Sequence, residues 1–160
     1  MIIAVVVAVL LIGLGVRYAF YTSPDQAAVN KAPRISDTSF EQAASAVCKE
    51  YVTKFDTATT LGKSPSAAQS GAFLESIAST FDAMVARLSA LPVAAADRAV
   101  VAQWLSQWRE YDAYGHTYAA AVRDRAERDL VRSDVARVDA MLRARNGFAK
   151  ANHMSACAFS

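Results

Sequence analysis

Hydrophobic positions along the chain fall into two regimes, an unbroken apolar run at the start and, beyond residue 38, four stripes at helical spacing. The run, Ile2 to Val16, carries no charge. A bilayer core takes about 20 helical residues. The run reaches that length if Arg17 snorkels outward and Tyr18, Phe20 and Tyr21 lie among the headgroups. Residues 1–21 therefore predict a transmembrane anchor. No basic stretch precedes the run and no A-x-A-like site follows it, which argues against a cleaved signal. The first cysteine, Cys48, lies too far along for a lipid anchor.

Residues 22–38, TSPDQAAVNKAPRISDT, hold Pro24 and Pro33 without apolar periodicity and read as a flexible linker. The first stripe follows: Phe40, Ala44, Val47, Tyr51, Phe55 and Ala58. Thr38 with Glu41 and Ser39 with Gln42 offer capping boxes at its start. Gly62 and Pro65 then mark an end and a new beginning. Leu74, Ile77, Phe81, Met84, Leu88 and Leu91 form the cleanest stripe, broken by Pro92. A third, strongly aromatic stripe runs Val101, Trp104, Trp108, Tyr111, Gly115, Tyr118 and Val122. The charge-dense stretch from Arg123 to Arg132 predicts a break. Val131, Val135, Val138, Leu142 and Phe148 mark a fourth helix, with Gly147 as a soft point.

No segment alternates in the manner of a strand, and the connection between the second and third helices is short. The predicted fold is all-α: an N-terminal transmembrane helix followed by an antiparallel up-down four-helix bundle over residues 39–160. Cys48 in the first bundle helix and Cys157 after the last would then lie at one pole, where a disulfide can clip them together. Closing a loop of roughly 100 residues is worth up to about 4.7 kcal/mol. A disulfide implies an oxidising compartment, whereas Arg17, Lys31 and Arg34 on the C-terminal flank favour a cytoplasmic domain by the positive-inside bias. The cysteines decide the expectation in favour of a single-pass plasma-membrane protein with its C-terminal domain extracytoplasmic. Two buried free thiols are the alternative.

Charge changes little. The net charge is +2, and the arginines between 123 and 143 alternate with acids at helical spacing, as on a solvated, salt-bridged face. That pattern speaks against a nucleic-acid partner. No catalytic set is recognisable, because the chain lacks a Gly-x-Ser-x-Gly turn, a phosphate loop and any Glu-x-x-His pair. His153 and Met154 come without a haem attachment motif. Asp112 and His116, at i and i+4, could both reach a metal, although an ordinary surface pair is the plainer reading. Trp104, Trp108, Tyr111 and Tyr118 form either the bundle core or, where exposed, a partner or ligand surface.

Cys48, the Leu-x-x-Leu-Pro end at Leu88 to Pro92, Asp97 followed by Val100 and Trp104-Leu105, and the terminal Cys157 together resemble a broad group of membrane-anchored or lipoprotein-type helical proteins of actinobacterial envelopes. The resemblance covers roughly Ser39 to Cys157 and implies an external helical bundle without an assigned reaction. The lipobox cysteine of the lipoprotein members is missing. The function expected from sequence is that of a non-enzymatic, membrane-anchored accessory or protein-interaction subunit of the cell envelope, with no cofactor and an unidentified protein partner. The alternative is a bundle that binds a small apolar ligand or a metal.

Overall fold

The computed structural model describes residues 24–56 and 64–159, with residues 129, 132 and 133 in backbone only. Among them lie five helices, a 3₁₀ turn and no strand: α1 Pro24–Lys31, α2 Thr38–Asp56, α3 Ala67–Ser89, α4 Arg98–Arg123, α5 Glu127–Ala151 and the turn Ser155–Cys157. The helical bundle expected from the stripes is present. Neighbouring pairs are α3 with α4, α1 with α5, α4 with α5, and α2 with both α3 and the 3₁₀ turn.

The expected single-pass membrane protein has to be corrected. Among the described residues no helix is long and apolar enough to cross a membrane. Each long helix has a polar face, as the stripes require, and the segment Ile2 to Tyr21 that carried the expectation lies outside the described residues. The plasma-membrane localisation drops out with it.

Several helix ends differ from the sequence reading for identifiable reasons. A helix, α1, occupies Pro24–Lys31, where a spacer was expected. Pro24 opens it, Asp25 and Lys31 suit its two poles, and it is seated on α5. A Cβ on Gly147 would come within 2.8 Å of the Ala28 backbone, so the glycine admits α1 at that point. At α2 neither predicted capping box forms. Asp37 caps the helix instead, its Oδ1 accepting from the Phe40 N–H at 3.0 Å while its Oδ2 accepts from the Ala94 N–H at 2.7 Å. Nearby, the buried carboxylate of Asp97 accepts from the Ser36 N–H, the Ser36 hydroxyl and the Asp37 N–H. One acid thus ties the entry of α2 to the start of α4.

Ser66 and Gln69 form a reciprocal capping box at α3, which leaves Pro65 just outside the helix. The expected break after Arg123 shortens to three residues, and the reason is a left-handed stop. Arg125 has φ 59°, and the Ala126 N–H bonds back to the Ala121 carbonyl at 2.8 Å, a Schellman closure after which α5 restarts at Glu127.

Phe40, Met84, Leu88, Trp104, Trp108 and Phe148 are buried at the centre. Cys48 and Cys157 are bonded in a disulfide, both fully buried, with Cα atoms 5.1 Å apart. The bridge holds the tail against α2, and Phe159 then packs edge-on against Phe55, Phe81 and Trp108. Arg145 is also buried, its guanidinium 3.9 Å from the Trp108 ring centroid and 4.5 Å from that of Tyr111. It donates to the Phe159 carbonyl, and burial pushes its pKa down to about 10.

Candidate metal centre

Small residues bring α3 and α4 close together. A Cβ on Gly71 would lie 2.9 Å from the Ala119 carbonyl oxygen, and one on Gly115 would lie 3.5 Å from the Ala78 Cβ. Gly71 therefore meets Ala119 while Ala78 meets Gly115, which sets an antiparallel register between the two helices. On α3 the same face carries Glu75 and Asp82, four residues beyond Gly71 and Ala78 respectively. On α4 it carries Asp112 and His116 around Gly115. The register lays these four polar residues against one another.

His116 is held from both sides, with Nδ1 2.8 Å from Glu75 Oε1 and Nε2 3.0 Å from Asp82 Oδ2. Asp112 adjoins Asp82, and one ligating atom from each of Asp82, Asp112 and His116 falls within 4.8 Å of the others. Asp112 is only 6% exposed, and its Oδ1 is buried without a hydrogen-bond partner. Facing carboxylates repel unless a positive species lies between them, either a proton or a metal ion. In the metal-free state a proton serves. Burial first, and then the bond and charge of Asp82, push Asp112 up to about 7. The hydrogen bond from Asp112, aided by His116, holds Asp82 below the ordinary carboxylate range. The hydrogen bond to Glu75 raises His116, with Asp82 adding to it.

The donor set suits a divalent transition ion. Two carboxylate oxygens and an imidazole nitrogen are the borderline donors that such ions accept. Tetrahedral ligands at about 2.1 Å from an ion stand about 3.4 Å apart, so the three donors need to close by no more than a side-chain adjustment. Glu75 occupies the position of an outer carboxylate, accepting Nδ1–H and leaving Nε2 for the ion, the usual support of a metal-binding histidine.

Sequence reasoning paired Asp112 with His116 but expected them on a solvated face. The structure brings both to the α3–α4 seam and adds Asp82 and Glu75, which no motif in the sequence connects to them. The aromatic candidates separate. Trp104 and Trp108 are 1% and 0% exposed, so both are core residues. Tyr111 and Tyr118 are half-buried and line an apolar cavity of about 350 Å³ with Leu74, Phe81 and Val138. Gly71→Leu is expected to force α3 from α4 and cost about 1–3 kcal/mol, the usual range for overpacking, measured by urea unfolding. An unchanged midpoint would show that the seam yields freely.

No family model, curated protein or solved structure matches the chain. The resemblance to envelope proteins therefore gains no matched relative.

Proposed function

We propose that this chain is a helical-bundle metal-binding protein that holds one divalent transition ion between α3 and α4. Asp82, Asp112 and His116 are the ligands and Glu75 orients the imidazole. The observation that carries this reading is the buried Asp112 carboxylate, its Oδ1 unpartnered and one of its oxygens within 4.8 Å of a second carboxylate and a histidine. A surface ion-pair cluster would leave its acids in water; here Asp112 is buried with one oxygen unpartnered beside a second carboxylate, an arrangement that needs a shared proton or a bound cation. A helical bundle suits a site drawn from facing positions of two neighbouring helices. Binding is assigned, and no reaction is.

Cobalt(II) provides a direct test, because its visible absorption reports coordination by protein nitrogen and oxygen. One equivalent of Co²⁺ is expected to give a saturating spectrum that Zn²⁺ displaces and that Asp112→Asn and His116→Ala both abolish. Absence of a saturating spectrum, or a spectrum unchanged in both variants, would refute the site.

A protein-interaction role rests on a smaller feature. Val131 and Val135, one turn apart on α5, are 38% and 49% exposed and present a modest apolar strip to a partner.

A further inference from the structure

A second cavity, of about 500 Å³, lies between α1, α4 and α5, away from the acidic and histidine side chains of the metal centre. Its floor is reached by the edges of two largely buried rings, Trp104 and Phe148, tilted at 34° with centroids 5.3 Å apart. Its sides are unusually small, since Ala27 and Ala28 come from α1 and Ala140 and Ala144 from α5. Protein interiors are otherwise filled to crystal-like density. Alanines at these positions leave unfilled a volume that leucines would occupy, while Gly147 keeps α1 seated beside it. The volume lies within the range of small-molecule sites.

The charged residues that line this groove have one sign, while Asp25 and Asp139 share the adjoining pocket with Arg143. Lys31 and Arg143 are the charged residues along it, both are cations, and neither makes an ion pair among the described residues. Gln103 and Gln107 add amides that can donate, and the Gln107 Oε1 is buried without a partner in the present amide orientation. An apolar trough with an aromatic floor and two unpaired cations is complementary to an amphipathic anion.

We infer that the groove between α1, α4 and α5 binds a monocarboxylic acid with an apolar body, the body lying over Trp104 and Phe148 and the carboxylate meeting Lys31 and Arg143. The site is independent of the metal reading, because it shares no residue with that centre.

Decanoate, below its micellar concentration, is the probe, used with the full chain. Brominated decanoate quenches tryptophan on contact, and Trp104 forms the groove floor. Saturable quenching is expected, with unlabelled decanoate competing and decanol at least tenfold weaker. Lys31→Gln, at an exposed position, should weaken decanoate about tenfold, and Ala144→Leu should abolish binding by filling the trough. Circular dichroism verifies that each variant is folded. Non-saturable quenching would overturn the proposal. So would decanol binding as tightly as decanoate, or folded Lys31→Gln and Ala144→Leu proteins both binding like the native chain.

Discussion

Replacing Cys48 and Cys157 together by alanine is expected to lower the free energy of unfolding by about 4–5 kcal/mol, the chain-entropy value for a loop of this length. The bridge spans a sequence separation of 109 residues, so the denatured chain gains a great deal of freedom when it is cut. Folded-state losses add to this. The docking of residues 152–159 depends on the bridge together with the buried side chain of Met154 and the contacts of Phe159. Typical domains are stable by only about 5–15 kcal/mol, so the variant should unfold at a markedly lower urea concentration, and the native protein should shift equally on reduction. A loss below about 1 kcal/mol would mean that unfolded-state entropy is not what the bridge controls here.

Asp112→Asn is expected to act in opposite directions on the metal-free and metal-bound protein. Asp112 in the fold titrates at about 7, above its ordinary 3.8. Its contribution to stability is therefore complete below about pH 4 and is lost as pH rises through about 7. His116, raised above 6.5, acts in the same sense, its contribution disappearing as pH climbs through the folded value. Asp82 runs the other way, since its lowered pKa gives a contribution present above 3.8 that fades in stronger acid. The metal-free native protein should accordingly lose stability from pH 5 to pH 8. The asparagine variant should lose much less, because no second carboxylate ionises against Asp82.

Zinc should reverse that ranking. An ion present at about 100 times its dissociation constant stabilises a single-site protein by about 2.7 kcal/mol, and native protein at pH 8 should gain that amount while the variant gains almost none. Thermal unfolding at pH 5 and pH 8, with and without Zn²⁺, reads all these states. Equal zinc stabilisation of the two proteins would remove Asp112 from the ligand set.

Much of the fold was legible because a buried helical face must repeat every three or four residues. The stripe through Met84 and Leu88 and the one through Trp104 and Trp108 both lie in the core where periodicity put them. The cysteine pair was legible from position alone. Local chemistry was less so. Asp37 caps α2 in place of Thr38 or Ser39 because its second oxygen is recruited by Ala94, a contact 57 residues away that no local motif records. Helix α1 owes its place to a glycine on α5, again a distant partner.

The site was half visible for the same reason. Asp112 and His116 are neighbours within one helix and can be paired by counting. Asp82 and Glu75 reach them only through the register of α3 on α4. The available signal was a matched set of small residues, with Gly71, Ala78, Gly115 and Ala119 spaced so that two helices can approach closely. Polar residues adjoining such a seam are brought against one another even where, like Asp82 and Glu75, they stay partly in water. That pattern turns Asp112 from an apparent surface acid into a residue 6% exposed.

Calorimetric titration of the metal-free chain with Zn²⁺ at pH 6.5, in two buffers of different ionisation enthalpy, tests the site most directly. Ligand deprotonation accompanies metal binding, so the prediction is one equivalent of Zn²⁺ bound with release of between about one and two protons, from Asp112 and His116. Asp112→Asn should show no saturable heat. A native chain that takes up no zinc, or binds it without releasing protons and equally well in the variant, would contradict a metal centre at Asp82, Asp112 and His116.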